Sequence, residues 1–313
     1  MLSLNELRVF LIAAETENFS ETARRLGISQ PAVSMQIRAL ERRFGMDLFE
    51  RSGRAVSLTE AGQVLVPLAR DLVHRSIFLQ EAMASMEGEV VGMLNLVCTT
   101  TAGKYILPRL LARFQDQHPR VELACLVMPR EMAIRRLIED EAHIGVASVV
   151  EATRGLECRP FMTDHVGLIA PPDHRWAVRG GPIKPDELKE ERYITREEVS
   201  GTSVAVSEAL AWHDIAPSDL KRSMTLGNSE AILMAVQEGI GLGFVSTMVA
   251  AEALAAGTLA MIPIEGMDIT KTLYMIRSTE VASTAAAAAF WESTFSTENQ
   301  QLLAEPSLVA PGP

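Results

Sequence analysis

The run FSETARRLGISQPAVSMQIRALERRFG, residues 19–45, narrows what this chain can fold into. Before it, Leu4, Leu7, Phe10, Leu11 and Ala14 recur at helical spacing and give one apolar face. Ser20 stands where an N-cap belongs, and Thr22, Ala23 and Leu26 continue a short second helix. Gly27 ends it, because glycine accepts the left-handed backbone of a tight turn. Ser29 is the next cap, and Pro31 falls in a first turn where a missing N–H is harmless. Val33, Ile37, Leu40 and Phe44 then form the expected buried stripe of a third helix. Two helices joined by a short glycine turn fit a helix-turn-helix.

In that geometry the start of the last helix meets base edges. Gln30, Ser34, Gln36 and Arg38 lie there, off the apolar stripe. Glutamine can pair bidentately with adenine, and a proline or alanine face can touch a thymine methyl. Arg38, Arg42 and Arg43 suit phosphates. A solvated helix face is the plain alternative. Beyond Gly45, Leu48-Phe49 and residues 56–58 read as two short strands around the turn Arg51-Ser52-Gly53-Arg54. That makes a wing with two arginines at its tip, or else an exposed basic turn. Residues 1–58 carry eight Arg, no Lys and seven acids, against 21 bases and 33 acids in the remainder. An Arg-only head on an acidic body fits local DNA contact better than general polyanion binding.

From Thr59, Leu65, Leu72, Leu79 and Met86 repeat every seven residues, with Ala61, Leu68 and Ala82 at the second core position. This is a coiled-coil-like seam, interrupted by Arg75 and carrying Pro67 near its start. A helix pairing two copies is expected; an amphipathic helix packed on its own domain is the alternative. Two copies would present two heads to a two-fold symmetric site.

The run ETARRLGISQPAVSMQIRALE, the wing DLFERSGRAVSLTEAG and the long helix after it resemble the LysR family of bacterial transcription regulators. The resemblance extends to about Ser296. It implies that Gln30, Pro31 and Ser34 face bases, that Arg38, Arg51 and Arg54 approach the backbone, and that Ser29 belongs to the same surface. It also implies a dimer through the linker helix, a homotetramer, and RNA polymerase as a further partner.

After Gly88, strands alternate with helices, the pattern of an α/β fold with largely parallel sheets. Strands are expected at 93–98, 121–127, 144–147, 166–170, 242–245 and 273–277, and helices at 105–117, 132–139, 203–211, 229–238 and up to about Phe295. The expected plan is an N-terminal winged helix-turn-helix (1–58), a linker and dimerisation helix (59–88) and an effector-binding domain (89–296). By resemblance that last domain is two-lobed, like a periplasmic binding protein. Lobe I covers about 89–165 and 268–296, and lobe II about 166–267. Residues 297–313 read as a disordered tail.

Ligands favour clefts at strand C-termini. Two strand-to-helix turns bear hydroxyls there. One is Thr99-Thr100-Thr101 with Lys104; the other runs from Thr195 and Arg196 through Ser200 to Thr202 and Ser203. Helix starts attract anions, so the pair could hold a carboxylate, phosphate or sulfate; ordinary N-capping is the alternative. The resemblance adds Asn228, Ser229 and Phe244 as the far wall. TTAGKYILP with REEVSGTS is similar to the branch of the family that regulates carbon fixation and sulfur assimilation. The sequence departs from that branch at Ser203, where a basic residue often follows SGT, which counts against a doubly charged phosphate.

Gly239-Ile240-Gly241-Leu242-Gly243 follows a helix and precedes a strand, the reverse of a dinucleotide fingerprint, and reads as a helix end and tight turn. Cys98, Cys125 and Cys158 lack metal-ligand spacing and read as buried thiols, with redox sensing at Cys98 a minor hypothesis. The six histidines are scattered, so no catalytic set, metal or cofactor is expected. The N-terminus is an amphipathic helix bearing Glu6, Arg8 and Glu15 rather than a signal peptide, and no apolar run spans a membrane. A cytoplasmic regulator of inverted-repeat promoters that responds to a small anionic metabolite is the reading. The rivals are a cytoplasmic small-molecule-binding protein of the solute-binding fold without a DNA role, and an enzyme using the cleft.

Overall fold

The computed structural model describes residues 2–52, 55–85, 89–148 and 153–304. The chain divides into two compact units, Met1–Val90 and Val91–Pro313.

In the first unit, α1 (Leu4–Thr16), α2 (Phe19–Leu26) and α3 (Gln30–Phe44) precede β1 (Phe49–Ser52), β2 (Ala55–Leu58) and α4 (Glu60–Ser85). Asn18, not Ser20, caps α2: its Oδ1 accepts from the Ser20 and Glu21 N–H groups, and Ser20 lies inside the helix. Gly27 takes φ +64° at the end of α2, and the Ser29 side chain caps α3 by accepting from the Ala32 N–H. Leu7, Phe10, Val33, Ile37 and Leu40 are buried together. Phe10 and Phe19 meet Phe49 edge to face, with centroids 5.6 and 5.3 Å apart. Phe44 is 39% exposed, a correction to its expected burial. It is the last residue of α3, and the Gly45 cap turns the chain away there.

β1 and β2 are antiparallel, pairing Phe49 with Leu58 and Arg51 with Val56. The expected turn at 51–54 is therefore narrower, because Arg51 and Ser52 belong to β1; Gly53 and Arg54 lie outside the described residues. Glu41 Oε1 accepts from the Leu48 and Phe49 N–H groups and ties the wing to α3. At the start of α4, a Cβ on Gly62 would sit 2.2 Å from the Leu48 carbonyl oxygen. Alanine in a helix interior normally gains about 1 kcal/mol over glycine. Here the overlap with backbone outweighs that gain, and Gly62→Ala is expected to destabilise the head by about 1–3 kcal/mol, read as an earlier thermal transition. A later transition would contradict the close approach.

The first half of α4 lays Ala61, Leu65, Val66, Ala69 and Val73 on the head. A second stripe, Leu68, Leu72 and Leu79, is 44–63% exposed. Arg75 lies in that stripe and donates to Asp71 at 2.8 and 3.0 Å. Of the remaining seam positions, Met86 lies outside the described residues.

The second unit contains β3 (Gly92–Cys98), α5 (Leu107–Gln117), β4 (Val121–Val127), α6 (Arg130–Ile138), β5 (Ile144–Ser148) and β6 (Leu156–Ala170). Then follow α7 (Arg175–Arg179), β7 (Arg192–Thr195), α8 (Gly201–Ala211), β8 (Lys221–Thr225), α9 (Ser229–Gln237), β9 (Leu242–Ser246) and α10 (Thr247–Ala255). The last elements are β10 (Ala260–Ile262), β11 (Ile269–Ser278), α11 (Ala285–Thr294) and α12 (Thr297–Ala304). The sheet order is β4-β3-β5-β11-β6-β9-β7-β8, with β10 beside β6. The expectation of largely parallel sheets needs correction, since this is one mixed sheet. The triads β4-β3-β5 and β8-β7-β9 are parallel. The long strands β6 and β11 are antiparallel to each other and join the two triads.

Two local expectations also change. The helix before α5 starts at Thr100, not after Gly103, and passes through a π turn over Ala102–Ile106. The tail expected from 297 begins as α12. Ser296 Oγ accepts from the Asn299 N–H, Asn299 Nδ2 donates to the Ser293 carbonyl, and Arg113 pairs with Glu298. These caps and bonds stabilise a helix that composition alone does not announce. Residues 305–313 lie outside the described part.

Candidate functional site

Four helix starts line one cavity of about 320 Å³ in the second unit. They are Thr99–Thr101, Pro129–Glu131 before and in α6, Ser200–Thr202 at α8, and Gly227-Asn228 before α9. Each helix start carries partial positive charge, worth about 0.3–1 kcal/mol to an anion at its mouth. Ser200 Oγ and Asn228 Oδ1 are committed to the Ser203 and Ala231 N–H groups. Thr99, Thr100, Thr101 and Ser148 add hydroxyls to the lining.

Three cations face the same space: Arg130, Arg196 and Lys271. Arg196 makes a bidentate pair with Glu197 at 2.9 and 2.7 Å and donates to Ser229 Oγ at 3.2 Å. Partial burial pushes the Glu197 carboxyl up, but the Arg196 guanidinium outweighs it and holds the group below the usual carboxylate range. Lys271 is the residue that sequence reasoning missed. Its Nζ lies 3.1 Å from Asp164 Oδ2 and 3.1 Å from Thr202 Oγ1, and both charged side chains are almost wholly buried. Ser246 Oγ donates to the other Asp164 oxygen at 2.6 Å. Lys271 and Asp164 are cross-strand partners on β11 and β6. The signal was a lysine two residues from Ile269 and from Leu273, and so on their face of the strand crossing between the triads.

A glycine is needed at the head of α8. A Cβ on Gly201 would lie 1.8 Å from Ser148 Oγ at the end of β5. The two sides of the cavity therefore approach closely there.

Of the hydroxyl and charged residues expected in the site, the cavity brings together Thr99, Thr100, Thr101, Arg196, Ser200, Thr202 and Asn228. Five others are not in its lining, Ser203 and Ser229 among them. Lys104 is half exposed and pairs with Glu230 at 3.3 Å. Thr195 Oγ1 is within hydrogen-bond reach of Thr225 Oγ1 and donates to the Met224 carbonyl. Phe244 stacks on Tyr193 with centroids 6.0 Å apart. Thr195 and Phe244 instead line an adjoining cavity. A third cavity of about 880 Å³ is walled mainly by apolar groups such as Ile106, Phe161, Met248 and Leu302, and Asp164 reaches it from the other side of the ion pair.

Cys98 Sγ lies 3.6 Å from Cys125 Sγ. The Cys125 contact and burial both hold the Cys98 thiol far above its ordinary range, so it stays protonated and poorly nucleophilic. Among the described residues no cluster of His, Cys, Asp and Glu could hold a metal.

In the first unit, Gln30, Pro31, Ser34, Met35, Arg38 and Arg42 share one concave face of α3. Gln30 Nε2 donates to Ser34 Oγ at 3.0 Å, which orients the amide outward along the helix. Arg38 and Arg42 are exposed and make no ion pair with the described residues. Gln36 lies off this face and accepts from Asn5 Nδ2 at 2.9 Å. Arg43 is within 3.6 Å of Glu6. Arg51 is described only as a backbone position of β1, and Arg54 not at all.

Residues 4–63 match the family model of the bacterial regulatory helix-turn-helix protein, lysR family, and residues 87–296 match that of the LysR substrate binding domain. The chain belongs to the LysR family. It is 31% identical over 289 residues to an uncharacterised HTH-type transcriptional regulator of Methanocaldococcus jannaschii, covering 92% of this chain and 97% of that one. It is 32% identical over 295 residues to the RuBisCO operon transcriptional regulator of Allochromatium vinosum, covering 94% and 96%. The fold is also that of full-length CbnR solved in complex with its target DNA, with a TM-score of 0.64 at 21% identity, covering 93% and 98%. This LysR protein is accordingly a transcriptional regulator with a helix-turn-helix and an effector-binding domain, and its family is one of regulators. No helix among the described residues is long and apolar enough to cross a membrane.

Proposed function

We propose that this LysR regulator works in the cytoplasm as a dimer or dimer of dimers that binds an inverted-repeat promoter site and responds to a small anionic metabolite. In this reading the head is 1–58, the pairing helix 59–88 and the effector domain 89–296, with lobes at about 89–165 plus 268–296 and 166–267. Bases are read by Gln30, Pro31 and Ser34, and phosphates are met by Arg38, Arg51 and Arg54. The exposed Leu68, Leu72 and Leu79 stripe is the pairing face. RNA polymerase is a downstream partner.

The observation that carries the effector reading is the single cavity in which four helix starts meet Arg130, Arg196 and Lys271. Its volume suits a small metabolite. Acids among the lining, Glu131 and Glu197, leave a modest positive balance that favours a singly charged group. Lys271 supplies the cation that Ser203 does not. The similarity to a RuBisCO operon regulator makes carbon-fixation genes the first targets to test. The effector acts by closing the lobes, which changes subunit packing, head spacing and DNA bend.

The test is a footprint on the chain's own upstream region, with and without a panel of small anionic metabolites. A protected inverted repeat whose extent changes with one metabolite is expected. Thr100→Val with Thr202→Val should abolish that change while protection without metabolite persists. A double variant that still responds would remove the cavity from the reading.

A further inference from the structure

The anion cavity does not end at α8. A second cavity of about 570 Å³ shares Arg196 and Thr202 with it and continues beneath the helix. Its floor and walls are Tyr193, Ile194, Val206, Leu210, Leu220 and Phe244. Ser203, Val206, Ser207 and Leu210 recur at i, i+3, i+4 and i+7, so one stripe of α8 forms its side. The stripe runs for about 10 Å from the helix start. Tyr193 offers this space its ring only, because its hydroxyl donates to the Leu188 carbonyl at 2.8 Å. The ring stacks on Phe244, with planes 14° apart. The charged lining is confined to Arg196, Glu198 and Arg222.

We infer that the effector is an amphiphilic acid: its anionic group sits among the helix starts near Lys271, and an apolar body extends past Thr202 into the slot beneath α8. This inference rests on the anion-cavity reading above. The occupant is argued from continuity, since Arg196 and Thr202 belong to both spaces and an apolar channel that opens on a cationic pocket fits one molecule with both characters. The slot selects by length, because each methylene buried there leaves water for an apolar wall. A compact, fully polar anion uses the head site and leaves the slot unfilled.

The experiment titrates the full-length protein with inorganic phosphate and with straight-chain carboxylates from acetate to decanoate, by calorimetry. Affinity should rise about fourfold for each methylene added, the factor expected from burying one CH2, and level off once the chain exceeds the slot. Ser207→Trp, at a partly exposed position of the stripe, should flatten the series; Ser203→Phe serves if that variant does not fold. A series flat in the original protein, with anions bound, overturns the slot and leaves the anion cavity standing. A rise with chain length that survives in a paired Lys271→Met and Asp164→Asn variant that no longer binds phosphate describes a separate greasy surface and also overturns it. If no anion of either kind binds, the anion-cavity reading fails and this inference fails with it.

Discussion

Lys271→Met is expected to cost about 3–5 kcal/mol of stability and to abolish anion binding. The substitution leaves Asp164 buried with a Ser246 hydroxyl and no cation, and an uncompensated buried charge is among the most destabilising single changes. Since whole domains are stable by only about 5–15 kcal/mol, the effector domain should melt markedly earlier. The paired change Lys271→Met with Asp164→Asn removes both charges and keeps the volumes similar. It should recover most of the stability, because a matched buried pair is worth little against a neutral replacement. It should not recover anion binding, because the cation is gone. Denaturant melts of the three proteins with a parallel anion titration decide the matter. A single variant as stable as the original would show that water reaches Asp164. A double variant that still binds anions would pass the role to Arg130 and Arg196.

The second large effect belongs to the head. Gln30→Ala with Ser34→Ala should reduce discrimination between the preferred site and a scrambled one by about 1–3 kcal/mol per head. Both heads of a dimer contribute, so the ratio of specific to non-specific affinity should fall by one to several orders of magnitude. Oligomer size should stay the same, since both residues lie on α3 and the proposed pairing face is on α4. Arg38→Ala is the control with a different signature: it weakens all sequences alike and makes the salt slope shallower by about one per head. Competition binding at several salt concentrations separates the two. Equal preference before and after the Gln30 and Ser34 change would move base reading elsewhere on α3.

The head was legible because its elements are set by local chemistry: Gly27 at positive φ, Ser29 capping, Pro31 in a first turn. The miss at Ser20 has the same origin. Two polar residues one position apart, on either side of Phe19, can both cap, and Asn18 is the one whose Oδ1 accepts the first N–H groups of α2. Gln36 was read as outward because it is polar, whereas its angular position on α3 places it beside Asn5. In the effector domain the two hydroxyl turns stood out because both end strands and begin helices. Lys271 did not. Its importance depends on a register, Lys271 opposite Asp164, between strands more than a hundred residues apart in the chain. The mixed sheet escaped for the same reason: β6 and β11 are long, and nothing local states their direction.

The position of that register has a kinetic consequence. β6 and β11 carry Asp164 and Lys271 on the ladder that joins the two parallel triads, whereas Thr100 and Thr202 stand on helix starts to either side. In the proposed closure those helices move, whereas the ammonium group stands on the ladder between the triads. An arriving acid therefore meets the same buried charge in the open and closed forms. On that proposal its capture rate depends on the ladder, and its residence time on the hydroxyls that travel with the helices.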